Sequence, residues 1–156
     1  MVVIHHGRRI AVSMLVVLQA GTVLVAQAAA LSRPVTGGAV SVVNDPAATA
    51  SSCLYQSGTM FITVQVDQLA TAAAAQKEYA EKLANSRGRD QQHSQSTTVE
   101  TGIGDGAFSS AFTDGTEVEF TAVRGSRILT FGLVGPGAAA VPHDRMRGLM
   151  QSALDH

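Results

Sequence analysis

The chain has 156 residues, of which 46% are hydrophobic and 15% are charged, and its formal net charge is −1. A chain of this length and composition can bury the core of one domain and does not fall in the disordered class. Because no block of like charge occurs, there is no electrostatic basis for binding nucleic acid.

Residues 1–28 have the pattern of a secretory signal peptide. Arg8 and Arg9 lie in a positively charged head, an apolar run follows, and Ala26-Gln27-Ala28 is the A-x-A pattern that signal peptidases cleave. We therefore expect cleavage after Ala28 and a protein that is secreted or held in the cell envelope. The alternative is a single-pass membrane anchor, because the uncleaved apolar run is long enough to cross a bilayer.

After the predicted signal peptide, residues 29–38 have the Pro and Gly content of a linker. Residues 39–156 are predicted to form a single domain. Its first strands are expected at 39–43, Ser52–Gln56 and Met60–Val66. The last of these alternates in a way that is typical of a strand with one buried face.

Two helices are predicted. The first covers Gln68–Ser86, with Asp67 as its N-cap, because apolar side chains recur there at helical spacing. The polar stretch Arg87–Thr98 is interpreted as an exposed loop. The second helix covers His143–Leu154, and Pro142 suits its first turn.

Residues 102–135 predict an antiparallel three-stranded meander. Asp114-Gly115 between apolar runs is a strong hairpin signal, because both residues tolerate positive φ. Together the elements predict an α+β fold, in which an antiparallel sheet of about five or six strands is covered by the two helices.

No motif indicates catalysis, a cofactor or a metal. The glycines of 102–106 lack G-x-G-x-x-G spacing and precede a β-rich run, so they predict a tight turn, with Asp105 facing solvent. The His residues lack zinc-site spacing. No G-x-S-x-G nucleophile motif occurs, and Ser109-Ser110 is expected to face water.

Glu117 and Glu119 share one face of a predicted strand and lie about 7 Å apart by strand rise. Such a pair could serve as glycosidase carboxylates. The alternation is also the ordinary pattern of a solvated sheet face, which is the interpretation we prefer because no aromatic platform for a sugar accompanies it. An extracellular hydrolase that uses one of these acids with Asp105 is the enzymatic alternative.

Cys53 is the only cysteine in the sequence. In an exported protein a lone cysteine is either buried and inert or paired between chains. Its neighbours Leu54 and Tyr55 favour burial.

Four features carry a resemblance to a known family: Ser52-Cys53-Leu54-Tyr55, Phe61–Val66, Gly102-Ile103-Gly104-Asp105-Gly106-Ala107-Phe108 and the last hairpin. Their order resembles the small secreted or lipid-anchored domains of unknown function that are common in actinobacteria. The resemblance implies a PsbP-like α/β sandwich, with helices on one antiparallel sheet, and no assigned activity. Members often have a second cysteine that forms a disulfide with the one that matches Cys53, and this chain lacks that second cysteine.

The leading hypothesis is a secreted, non-catalytic binding or accessory module of the bacterial cell envelope. It would have no cofactor, and its partner would be a protein or a small molecule. Long loops on rigid scaffolds commonly carry recognition, so the candidate partner-binding residues are Gln91, Gln92, His93, Ser94 and Gln95. Replacing all five with Gly and Ser is expected to leave stability nearly unchanged but to weaken binding to the natural partner. A purely structural envelope protein is the remaining alternative.

Overall fold

The computed structural model describes residues 41–42 and 52–155, so the predicted signal peptide and linker lie outside the described residues. Within this part the protein is α+β, as predicted, with one antiparallel sheet and two helices. The strands are β1 (Ser41–Val42), β2 (Ser52–Ser57), β3 (Met60–Gln68), β4 (Gln95–Glu100), β5 (Gly106–Phe112), β6 (Glu117–Arg124) and β7 (Arg127–Val134). The helices are α1 (Ala72–Asp90) and α2 (His143–Leu154), and a 3-10 helix covers Ala138–Ala140.

The strand order in the sheet is β1-β2-β3-β7-β6-β5-β4. The predicted meander is confirmed as β5–β6–β7, and its first turn contains Asp114, whose carboxylate accepts a hydrogen bond from the Thr116 amide at 3.0 Å. β3 then pairs with β7 along eight residues, which joins the N-terminal hairpin to the meander. β4 is an edge strand, because it is the last strand in this order and pairs only with β5 among the described residues.

The two faces of the sheet bury different cores. Successive strand residues point to opposite faces, so Ala107 lies in the core against α2 and Phe108 in the core against α1. On the α1 side, the Tyr79 ring lies 5.7 Å from that of Phe108. The largest side chains of the α2 core are Tyr55, Ile62, Phe120, Phe131, Leu133, Met146 and Met150. The sheet is therefore the middle layer between the two helices.

Helix α2 has the predicted bounds, but α1 is shifted by four residues at each end from the predicted Gln68–Ser86. Asp67 is not the N-cap. It pairs with Ile128 in the β3–β7 ladder, and its carboxylate binds the Gln65 amide group at 2.9 Å. Thr71 is the N-cap instead, because its hydroxyl accepts a hydrogen bond from the Ala74 amide at 3.1 Å.

The prediction that Arg87–Thr98 forms one long exposed loop is also wrong. Helix α1 continues to Asp90 and β4 begins at Gln95, which leaves only a four-residue connection. Of the five candidate partner-binding residues, four lie in this exposed connection, and Gln95 is a buried strand residue. The connection is short because polar side chains of α1 and β4 bind one another.

This contact is a chain of hydrogen bonds that the sequence did not indicate. The amide group of Gln95 donates to the Ser86 hydroxyl at 3.0 Å, and that hydroxyl lies 2.8 Å from the Thr97 hydroxyl. Asp90 accepts from both the Thr97 hydroxyl, at 2.7 Å, and the Thr97 backbone amide, at 3.1 Å. The end of α1 is thereby fixed to the edge strand.

Gln95→Ala is expected to lower the free energy of unfolding by about 1–2 kcal/mol, because it leaves the buried Ser86 hydroxyl one partner short. Urea denaturation of the full chain measures the change. The matched control is Gln92→Ala in the exposed connection, which should stay within about 0.5 kcal/mol of the wild type. Equal effects of the two substitutions would contradict the buried position of Gln95.

Cys53 is half-buried rather than fully buried, and it packs against the core beside Tyr55. Burial and the neighbouring Cys53 raise the pKa of the Tyr55 hydroxyl.

Among residues 52–155 no helix is both long and apolar enough to cross a membrane.

Candidate functional site

The best-defined polar group on the α2 side of the sheet is built around Glu100, the last residue of β4. One oxygen of its carboxylate accepts hydrogen bonds from the Ser109 hydroxyl at 2.7 Å and from Nε2 of His143 at 2.8 Å. The other oxygen accepts from Arg147 at 3.0 Å, and the same guanidinium donates to the Thr101 carbonyl at 2.7 Å. We call Glu100, Ser109, His143 and Arg147 the Glu100 cluster.

Local structure explains why these side chains meet. Ser109 is opposite Thr98 in the β4–β5 ladder. Thr98 lies two residues before Glu100 in β4, so Ser109, Thr98 and Glu100 all point to the same face of the sheet. His143 and Arg147 are four residues apart in α2 and therefore share one side of that helix. Pro142 precedes His143 and fixes the chain direction where the helix begins.

The Glu100 side chain is only 3% exposed, whereas those of His143 and Arg147 are 52% and 35% exposed. Burial alone would raise the pKa of Glu100. The hydrogen bonds from Ser109 and His143 and the charges of His143 and Arg147 outweigh burial, so the pKa lies below its usual value. Glu100 is therefore a buried carboxylate that is ionised at neutral pH and fully hydrogen-bonded.

A cavity of about 310 Å³ opens beside this cluster, between the β4–β6 part of the sheet and the segment that leads into α2. We call it the Glu100 cavity. Its apolar side includes the Phe120 ring, which lies 5.1 Å from the His143 ring. Its polar side includes the exposed hydroxyls of Ser96 and Thr98. The remaining lining residues are Glu100, Ser109, Ser110, Ala111, Val118, Ala138, Ala139, Val141 and Met146.

The hydrogen-bond order within the cluster limits its chemistry. A Ser–His–acid triad needs the imidazole between the hydroxyl and the carboxylate. Here Ser109 and His143 both donate to the same Glu100 oxygen, so the carboxylate lies between them. A carboxylate with a lowered pKa is also a weak general base. The arrangement suits holding an imidazole and an arginine in place at the rim of a cavity.

The acids of the hydrolase hypothesis do not assemble into one site. Asp105 accepts a hydrogen bond from the Gly125 amide at 2.7 Å, at the far end of β6. Glu119 lies six residues earlier, about 20 Å away along the strand. Glu117 and Glu119 do share a face, but both are half-buried rather than solvated.

Glu119 lies in a second, polar cleft of about 510 Å³ on the α1 side of the sheet. We call it the Glu119 cleft. Burial raises the pKa of Glu119, and the charge of Glu117 adds to the increase, while Arg89 and Lys82 oppose it. The candidate binding residues 91–95 line neither the Glu119 cleft nor the Glu100 cavity.

The sequence interpretation missed the Glu100 cluster. It expected Ser109 to face water, whereas the hydroxyl is half-buried on Glu100. The one available signal was in α2, where His143 and Arg147 recur at helical spacing beside the apolar positions Met146 and Met150. A polar pair bordering an apolar stripe indicates a buried polar partner, although it does not identify Glu100.

Within the described part of the chain, no group of three or more His, Cys, Asp or Glu side chains is arranged to hold a metal ion. The chain matches no protein-family model and has no match among curated proteins.

Proposed function

We propose that this protein is a non-catalytic binding module that takes a small amphipathic molecule in the Glu100 cavity. The observation that carries the proposal is the cavity itself, which has an apolar side next to a polar rim. Its volume lies at the lower end of the range of small-ligand sites, which are mostly apolar with a few placed polar groups.

The rim determines which head group fits. Because the ionised Glu100 can only accept, Nε2 of His143 carries the proton of their shared hydrogen bond and points away from the cavity ligand. The hydroxyls of Ser96 and Thr98 can donate or accept. A neutral head group such as a hydroxyl or an amide satisfies these groups, while an apolar chain packs on Phe120 and Val118.

Binding without turnover is favoured by the state of Glu100. Its two oxygens are occupied by three donors, and its lowered pKa makes it a poor acceptor of a further proton. An acid that catalyses glycoside hydrolysis needs a raised pKa instead.

The place of action that we propose is outside the cytoplasm, at the bacterial cell envelope. The signal-peptide pattern of residues 1–28 and the resemblance to small actinobacterial secreted domains support this location. Mass spectrometry of the exported protein would test it, since a chain beginning near Ala29 is expected.

The binding test uses two neighbouring alanines of the 3-10 helix. Ala139 lines the cavity and Ala140 does not. Ala139→Leu is expected to weaken binding of octyl glucoside, followed by NMR shift titration below its micelle concentration, by about tenfold. The larger side chain occupies ligand volume, and crowding of this kind costs about 1–3 kcal/mol. Ala140→Leu should bind as the wild type does.

Shift changes should be centred on Phe120, Val118 and His143. Binding that both leucine variants retain equally would contradict a site in this cavity. Failure of octyl glucoside, octanol and octanamide to shift any resonance of the cavity would favour a purely structural envelope protein instead.

A further inference from the structure

The Glu119 cleft contains charges of opposite sign that, among the described residues, form no ion pair with one another. Glu119 projects from β6, and Arg89 and Lys82 project from α1 on the other side of the cleft. The only hydrogen bond to the Glu119 carboxylate from the described residues is a long one, 3.5 Å, from the Thr121 hydroxyl. Its negative charge is therefore poorly compensated within the fold.

The two cations differ in how far they are already paired. Lys82 lies 3.6 Å from both Asp67 and Glu78, which share its charge. Arg89 is exposed, and it forms no ion pair with any residue between 52 and 155. The cleft thus presents a carboxylate and a guanidinium that attract each other across it but form no close ion pair.

Amides and hydroxyls lie between these charges. Gln65, Asn85 and Thr130 line the cleft. The Gln65 side-chain nitrogen already donates to Asp67, which leaves its oxygen to accept, while Asn85 and Thr130 can donate and accept. The buried Phe108 ring forms part of the wall. Such side chains match the C=O and N–H groups of a peptide bond.

The net effect on folding is unfavourable, because burial disfavours the ionised form of Glu119 and raises its pKa. Groups that destabilise a fold while facing a cleft are commonly kept for binding. A ligand cation paired with Glu119 would offset the free energy that the carboxylate loses when folding removes it from water.

We propose that the Glu119 cleft is a second binding site, independent of the Glu100 cavity, for a small zwitterionic peptide. The ligand ammonium pairs with Glu119 and the ligand carboxylate with Arg89, while the peptide bond contacts Gln65 and Asn85. A simple anion is repelled by Glu119, and a simple cation is repelled by Arg89 and Lys82. Only a ligand with both charges satisfies both sides of the cleft.

The probe is L-alanyl-L-alanine, titrated at millimolar concentration into the full chain and followed by NMR chemical shifts. We expect shifts at Glu119, Arg89, Asn85 and Thr130. N-acetyl-alanyl-alanine lacks the ammonium and alanyl-alanine amide lacks the carboxylate. Each should bind at least about tenfold more weakly, the scale of one lost charge-assisted hydrogen bond.

Two variants and two matched controls assign the partners. Glu119→Gln and Arg89→Gln should each weaken dipeptide binding by about tenfold or more. Glu81→Gln removes an exposed carboxylate from α1, and Arg87→Gln removes a guanidinium from the same helix, but neither residue lines the cleft. Both controls should bind as the wild type does.

A thermal melt separates lost binding from lost folding. Glu119→Gln should raise Tm at neutral pH, since it removes a half-buried charge, while it lowers dipeptide affinity. The proposal is overturned if the blocked dipeptides bind as well as the free one, or if the dipeptide produces no shifts in the cleft. It is equally overturned if the controls lose binding as much as the cleft variants do.

Discussion

Arg147→Met is expected to lower the free energy of unfolding by about 3 kcal/mol, because it leaves the buried Glu100 carboxylate without its permanently charged partner. The methionine can still cover the apolar surface along the arginine stem, so the loss is mainly electrostatic. The Thr101 carbonyl also loses its donor. Urea denaturation at neutral pH measures the change.

Glu100→Gln is expected to cost less, about 2 kcal/mol, although Glu100 is the more buried partner. Removing the buried charge leaves an imidazole and a guanidinium that are half-exposed and that water can solvate, whereas removing the guanidinium leaves a charge that water cannot reach. The double variant Glu100→Gln/Arg147→Met should therefore cost less than the two single variants together.

Lys77→Met is the control for losing a positive charge. Lys77 is 81% exposed, and the substitution removes only an exposed ion pair in which its Nζ lies 3.9 Å from a Glu81 carboxylate oxygen. It should change stability by about 0.5 kcal/mol or less. Additive effects of Glu100→Gln and Arg147→Met would show that the two side chains do not interact in solution.

The same pair predicts how stability depends on pH. The pKa of Glu100 is lower in the folded state than its ordinary value. Its contribution is therefore fully present above the ordinary carboxyl range and is lost as the pH falls through the folded-state pKa. In Arg147→Met that pKa rises, so acid unfolding should begin at a higher pH than in the wild type.

The strands β2, β3, β5, β6 and β7 were predictable because their signals are local, whereas β4 lies largely in the stretch that was interpreted as a loop. Alternation in Met60–Val66 and the Asp114-Gly115 turn each lie within a few residues of the structure that they specify. The structure extends the first of these strands by two residues, because Asp67 and Gln68 pair with β7. A partner 60 residues away determines that extension.

The ends of α1 depended on such distant contacts. Asp67 and Thr71 are both good N-cap residues, and the β3–β7 ladder decides between them by drawing Asp67 into the sheet. At the other end, Gly88 permits a helix to stop, but the bonds of Asp90 to Thr97 keep the helix intact beyond it.

The Glu100 cluster was the least predictable feature. His143 and Arg147 come from a helix more than 40 residues after Glu100, and no motif links them in the sequence. They meet because the strand order brings β4 and the start of α2 to the same part of the sheet. The same reason explains why Glu117 and Asp105, which are closer in sequence, do not meet.

The turn before β5 contains a glycine whose replacement is expected to destabilise the fold strongly. Gly104→Ala is expected to lower the free energy of unfolding by about 3 kcal/mol. Gly104 has φ +54, where a side chain costs about 1–2 kcal/mol. An added Cβ would also collide with the Val123 carbonyl oxygen and approach the Leu154 side chain to 3.1 Å, and forced contacts of this kind cost about 1–3 kcal/mol.

Backbone atoms make this collision hard to relieve. The Val123 carbonyl accepts a hydrogen bond from the Asp105 amide at 2.8 Å, so a shift of either strand breaks the bond that closes the turn. Gly102→Ala is the matched control, because Gly102 also has positive φ, +76, but an added Cβ there has no atom within 4 Å. It should cost only about 1 kcal/mol. Equal losses in the two variants would mean that conformational strain alone, and not the close approach to β6, explains the glycine at 104.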